Sequence, residues 1–362
     1  MNKYGDITPR TAAFIVKDLL DRGQPYYVFE KFGTSKPMPT NATQKMKFRR
    51  YFLKGAAFTD LKYNPYEYYE DAVNRFDVVT VNDGNAAGAN LYGRKLSEGV
   101  TPVAVDLDCA DIEVTIGQYG MFTEITDVVA DTHEDPILQE AVDILGEGGA
   151  FLTEKIYYNA LIGGSNVFYG GTARNTVNGK LTLDIQRSIT RTLKRNLGKP
   201  ITKVVTSSAA YGTEPIAPAF IAVAHSDLET DIRSMNGFVP AEKYGTMTPW
   251  EGEIGKVESV RYILSTVVQS LGEVGNTVIP TGILGTTRVA VYPVLFFGSG
   301  AYCTVPLKGK NSIVPMVLNP NTPRGGDQLG QRGSVGIKFY TACLILQDAW
   351  MARAEVACSS LA

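Results

Sequence analysis

The chain has 362 residues, of which 44% are hydrophobic and 20% charged, and its formal net charge is −2. Such a composition buries a core, and it excludes disorder, collagen and a coiled coil as global answers. Near-neutrality gives no global attraction to nucleic acid or to an acidic membrane surface. The 36 glycines and 18 prolines suit a turn-rich, β-containing chain.

The opening MNKYGDITPR is polar, so no secretory hydrophobic segment is expected there. The longest nearly apolar stretch, Val289 to Val305, is broken by Pro293, Gly298 and Gly300 and is not read as a membrane span. Cys109, Cys303, Cys343 and Cys358 show no C-x-x-C spacing and are expected to be reduced thiols, partly buried. Catalytic signatures are fragmentary. His133-Glu134 opens like a zinc-protease helix, but Ile137 stands where the second histidine belongs. His225 is the one other histidine. Gly298-Ser299-Gly300 begins like a dinucleotide loop, but Cys303 replaces the third glycine. A P-loop and a G-x-S-x-G elbow are absent from the sequence.

In chain order, Thr8 as cap, Pro9 and the apolar Phe14, Val16, Leu19 and Leu20 predict a first helix that stops at Gly23. The segment from Gly33 to Pro39 reads as polyproline-like backbone without partner bonds of its own. Lys45 to Tyr51 alternates as a strand with one basic face. Residues 55–98, with Tyr63, Tyr66, Tyr68 and Tyr69 near their start, read as an insertion. Ile112, Val114 and Ile116 mark a strand, Gly117 to Gly120 a turn, and Phe122 to Val128 a returning strand: a long β-hairpin. Asp135 and Pro136 then start a helix running to about Gly163, with Gly146, Gly148 and Gly149 at a bend or at a close approach of neighbouring backbone. Further on, Leu181–Leu197 reads as a basic helix, Phe220–Ala224 as a buried strand and Leu228–Met235 as a short helix. Val257–Val268 and Val289–Val305 read as strands, and Asn319–Gly333 as a Pro/Gly/Arg loop. Period does not decide strand against helix over Gly336–Glu355. The fold class is α+β.

Charge is segregated. Residues 1–60 carry 11 basic and 5 acidic side chains, residues 101–150 carry 12 acidic and no basic ones, and residues 180–203 carry 7 basic and 1 acidic. Solvated faces are one reading; self-complementary docking between copies of the chain is the other. On the docking reading, Lys45, Lys47, Arg49, Arg50, Tyr63, Tyr66, Asp111, Glu113, Glu124, Asp127, Glu140, Arg324 and Arg332 are candidate inter-subunit contacts. Two alternatives stand beside it. Asp127, Asp131, Glu134 and Asp135 could serve a carboxylate-dependent hydrolase or hold Ca²⁺, although acidic residues ahead of a helix also simply favour its dipole. The tyrosine group could stack on sugars in a decoration or carbohydrate-binding protein, although tyrosines also fill interfaces.

Seven segments, in order, carry a resemblance: FRRY (48–51), EGVTP (98–102), QYGMFTEITD (118–127), DPILQEAVDILGE (135–147), LKRNLGKPITKVV (193–205), AHSDLETDIRS (224–234) and GEIGKVESVR (252–261). Over about residues 30–358 the chain resembles the major capsid proteins of tailed bacteriophages, of the N4-like family with the HK97-like fold; only 55–98 is longer than the family pattern. The resemblance implies an N-terminal arm at 1–44 lying over a neighbouring subunit. It implies an extended loop at 45–106, whose strand 45–52 pairs with the chain returning at 99–106. A peripheral domain at 107–180 would hold a spine helix at 135–162. An axial domain would span 181–332, with 319–333 among its loops, and 333–362 would return to the peripheral domain. It further implies self-assembly into pentamers and hexamers of an icosahedral virion shell enclosing double-stranded DNA without sequence-specific binding. A separate scaffolding protein, a portal and a decoration protein would be partners, assembly would occur in the bacterial host cytoplasm, and no membrane would be involved. No catalytic residue, cofactor or metal ligand is expected.

Overall fold

The computed structural model of the protein describes residues 27–41, 43–53, 107–132, 137–201, 218–243, 249–278, 287–307, 314–321, 323 and 325–359. The expected helix before Gly23, the insertion 55–98 and the Asp135 cap lie outside these residues. In chain order the strands are Thr34–Ser35 (β1), Lys45–Leu53 (β2), Leu107–Thr115 (β3), Gly117–Thr126 (β4), Val167–Tyr169 (β5), Phe220–Ala224 (β6), Phe238–Pro240 (β7), Glu253–Val257 (β8), Val260–Leu264 (β9), Thr277–Val278 (β10), Thr287–Arg288 (β11), Val291–Phe297 (β12), Tyr302–Thr304 (β13), Val314–Leu318 (β14), Arg332–Thr341 (β15), Cys343–Ile345 (β16) and Met351–Ala357 (β17). The α-helices are Phe29–Phe32 (α1), Asp127–Thr132 (α2), Ile137–Leu161 (α3), Leu183–Arg195 (α4) and Glu229–Arg233 (α5).

The largest sheet of the described residues has seven strands in the order β5-β17-β12-β6-β9-β8-β7. Its central strands read FIAVA and VYPVLFF, nearly unbroken apolar runs, because both faces of the sheet are covered. Phe220, Ala222, Val294 and Phe296 point to one face, where Ile189 and Leu193 of α4 and Ile232 of α5 meet them. Ile221, Val223, Leu295 and Phe297 point to the other, against Tyr157, Tyr158 and Leu161 of α3 and Val28, Phe29 and Phe32 around α1. A second sheet, β14-β15-β4, packs Ile125, Val335, Ile337 and Phe339 on Val142 and Leu145 at the front of α3. Helix α3 therefore joins two sheets. Its 25 residues span roughly 37 Å, with the front half on one sheet and the back half on the other.

The glycines lie at that changeover. Helix α3 is unbroken across Gly146, Gly148 and Gly149. At Gly148 the neighbour is a side chain and not backbone: an added Cβ would sit 3.1 Å from the Met121 sulfur on β4.

Several expectations are corrected. The long hairpin over 107–128 does not form: β3 pairs with β2, and β4 pairs with β15, so consecutive strands enter different sheets. Gly117 and Gly120 lack the positive φ of a tight turn. Gly120 instead admits the neighbouring strand, since a Cβ there would lie 2.6 Å from the Ile337 carbonyl oxygen. The partner of strand 45–53 is 107–115, from Lys45 opposite Thr115 to Leu53 opposite Leu107, and not 99–106. That register places Phe48 opposite Ile112 and Met46 opposite Val114, so the apolar sides match. The segment 33–39 has partner bonds within its own chain. β1 pairs in parallel with β13, and the N–H groups of Lys36 and Met38 donate to the carbonyls of Thr304 and Pro306. Met38 is buried beside Cys303 and Val305. Val257–Val268 is not one strand: β8 and β9 form a hairpin turning at Glu258, whose φ is 51°. The loop after Leu318 connects β14 to β15 in the sheet under the front of α3. The last segment divides as well: β15 joins that smaller sheet, while β17 runs between β5 and β12 in the large one.

Candidate assembly surfaces

Strands β2 and β3 form a two-stranded ribbon. Its base is seated by Met46, Phe48, Val114 and Ile116 against Met38, Cys303 and Val305, and its far end leads into residues 54–106. On one face Lys47 Nζ meets Glu113 at 2.5 Å and Arg49 Nε meets Asp111 at 2.8 Å. Each cation holds its carboxyl below the ordinary carboxylate range, chiefly through the hydrogen bond it donates. Directly opposite positions in one antiparallel pair bring these four charges together within the chain. Lys45 lies exposed opposite Thr115, and Arg50 lies opposite Ala110.

Near one end of the smaller sheet Glu124 lies opposite Ser334 and Arg332 opposite Thr126. Asp127 starts α2 there; its Oδ1 accepts the Val128 N–H at 2.8 Å, and its own N–H donates to the Gln331 carbonyl at 3.0 Å. Asp131 accepts from Asn321 Nδ2 at 3.4 Å. Glu140 is exposed on α3, apart from these. Tyr63, Tyr66, Arg324, His133, Glu134 and Asp135 lie outside the described residues. No group of three or more His, Cys, Asp or Glu side chains fit to hold a metal occurs among the described residues, and no described helix is long and apolar enough to cross a membrane.

Two features escaped the sequence reading. The first is an apolar row on the solvent side of the smaller sheet: Phe122, Gly336 and Met316 are directly opposite one another across β4, β15 and β14. Phe122 is 70% exposed and Met316 50%. Phe122 falls in phase with Gln118, Glu124 and Thr126, so an aromatic on the polar parity of the strand was the available signal. The second is Glu154 of α3, which is fully buried. Its carboxylate accepts the N–H of Phe29 at 2.8 Å and of Glu30 at 3.3 Å. Burial pushes its pKa up to about 7, and those backbone donors only partly offset the push. Glu154 shares the buried stripe of Ala150, Tyr157, Tyr158 and Leu161 at helical spacing, so a carboxylate on an apolar stripe was legible.

The segment before the ribbon is thus fixed to its own body. Phe29 packs edge-on to Phe297 and along Tyr158, with ring centroids 6.1 and 6.4 Å away, and Tyr302 Oη donates to the Phe29 carbonyl at 2.5 Å. Residues 28–38 thus pack on the body of their own chain.

This architecture is that of phage shells. The chain is similar to the capsid of Ralstonia phage GP4, with a TM-score of 0.60 at 13% identity over 92% of each chain. It is similar to the cyanophage Pam1 capsid at 0.57 and 12%, covering 94% of this chain and 93% of that one. It is similar also to the capsid of cyanophage P-SCSP1u at 0.53 and 12%, over 92% and 88%. No curated protein sequence matches the chain significantly. The fold is α+β and HK97-like. The sequence profile described as phage capsid protein matches residues 110–332, more than half of the chain; the chain belongs to the phage capsid protein family and is a structural protein of the virion shell.

Proposed function

We propose that this chain is the subunit of a closed icosahedral shell, assembled as pentamers and hexamers around double-stranded DNA. The observation that carries the reading is the ribbon β2–β3. Its strands pair only with each other among the described residues; its base packs on Met38, Cys303 and Val305, and beyond that base a two-stranded ribbon is marginal in water. Burial on a neighbouring copy completes it. The exposed row of Phe122 and Met316 is the second unsatisfied surface, because apolar patches that stay exposed on one subunit commonly mark an interface. On this reading Lys45, Lys47, Arg49, Arg50, Asp111, Glu113, Glu124, Asp127, Glu140 and Arg332, with Tyr63, Tyr66 and Arg324, line contacts between copies. The joint of α3 at Gly146, Gly148 and Gly149 bends to fit both ring sizes.

The finer parts rest on the family resemblance: an N4-like relationship, the arm at 1–44, the axial and peripheral division, a scaffolding protein, a portal, a decoration protein, and assembly in the host cytoplasm. A structural protein needs no catalytic group, which sets this reading apart from the hydrolase alternative. Sedimentation velocity with negative-stain imaging tests it: closed particles support the proposal, and a stable monomer at high concentration contradicts it.

A further inference from the structure

We propose that the solvent face of α4 is a phosphate-binding surface that holds the backbone of double-stranded nucleic acid without reading its sequence. This rests on the shell reading for where such a ligand would be met. Arg187, Arg191, Lys194 and Arg195 line a shallow depression of about 430 Å³ together with Thr190. Their spacing of i, i+4, i+7 and i+8 puts all four on one stripe of the helix. From Arg187 to Arg195 the stripe is roughly 12 Å long at 1.5 Å per residue. One strand of a duplex presents a phosphate about every 3.4 Å of axis, so such a stripe faces three or four phosphates.

The helix beneath is rigidly held. Ile189 and Leu193 are fully buried. The buried Gln186 donates to the Val257 carbonyl at 2.9 Å and accepts from Tyr262 Oη at 2.8 Å. Structural reasons account for some of the charge. Arg187 pairs with Glu258 at 2.6 Å, and cations in a last turn favour the helix dipole. Neither reason covers Arg191; Lys194 shares the field of Glu258 with Arg187. An acidic protein face is the competing occupant, but protein interfaces centre on buried aromatic or aliphatic anchors. Four cationic side chains and Thr190 line the depression, with no aromatic or branched aliphatic anchor among them, and strongly positive surfaces are what nucleic-acid interfaces use.

The test is binding of a fluorescein-labelled 30-base-pair duplex of mixed sequence to the purified full-length protein and to Arg191→Gln/Lys194→Gln, between 50 and 200 mM salt. Three contacts alone weaken wild-type binding about 40-fold over that range, and the double variant's log–log salt slope is shallower by about 2. If circular dichroism shows the double variant unfolded, Arg191→Gln alone serves, with a slope shallower by about 0.9. No wild-type binding, or an unchanged slope in the variant, overturns the inference. Loss of particle formation with unchanged duplex binding also overturns it and assigns the face to an acidic protein partner. Imaging of the same preparations separates the two claims: particles with an unchanged slope contradict only this inference, while absence of wild-type particles contradicts the shell reading.

Discussion

Glu154 accepts the backbone N–H of Phe29 at 2.8 Å inside the protein, so a buried carboxylate on the long helix fastens the segment that leads into the ribbon. Charge is costly there. Burial is the main cause of the raised pKa of about 7, and nearby Glu30 adds to it. A folded-state pKa above the unfolded one means that the docked form holds the proton more tightly. The stabilisation is full below about pH 4.5 and is lost as pH rises through about 7, at most about 3 kcal/mol. Amide exchange at Phe29 and Glu30 should therefore accelerate, relative to the intrinsic rate, between pH 5 and pH 8. Glu154→Gln, which keeps a carbonyl acceptor, should flatten this dependence. Equal pH dependence in both proteins would refute it.

Phe29 is the apolar half of the same attachment. It is fully buried against Tyr158 and Phe297. Phe29→Ala should cost about 3–5 kcal/mol by chemical denaturation and expose residues 27–41 to protease. A loss below about 1 kcal/mol would show that the segment is not docked in solution.

In the ribbon, Lys47→Glu/Arg49→Glu should place like charges opposite Glu113 and Asp111 and speed amide exchange of β2 in unassembled subunits. Adding Glu113→Lys/Asp111→Arg should restore protection. If protection is unchanged by the reversal, the pairs do not hold the ribbon.

Two glycines should respond oppositely to alanine. At Gly148 the new methyl meets only the flexible end of Met121, and alanine favours the helix by up to about 1 kcal/mol, so the change should be neutral or stabilising. At Gly120 it meets the rigid Ile337 carbonyl and should destabilise by about 1–3 kcal/mol. Denaturation midpoints that move the same way for both would contradict the packing described at these strands.

What could be read from the sequence was local. The stripes of α3 and α4 and the apolar runs of β6 and β12 declare themselves through period and through burial on both sides. Pairing partners did not. The alternation at 112–116 and 119–125 is real, but period two says nothing about which strand lies alongside. β4 finds its partner more than 200 residues later, as in Thr123 opposite Val335. Gly120 reads as a turn because a glycine that admits a neighbour and a glycine that reverses the chain are written alike. The segment 33–39 was expected to need another surface, and its surface is β13 of its own chain. Opposed charge blocks suggest contact between copies, and the same residue types also meet within one ribbon, as Lys47 and Glu113 do. Glu154 and Phe122 were legible as residues out of phase with their neighbours.

The central claim is that copies of this chain complete one another into a shell. Cryo-electron microscopy of the purified protein tests it most directly. The account predicts closed icosahedral particles in which β2–β3 of each subunit lies against a neighbour. A homogeneous monomer at high concentration, with that ribbon folded back on its own body, would contradict it.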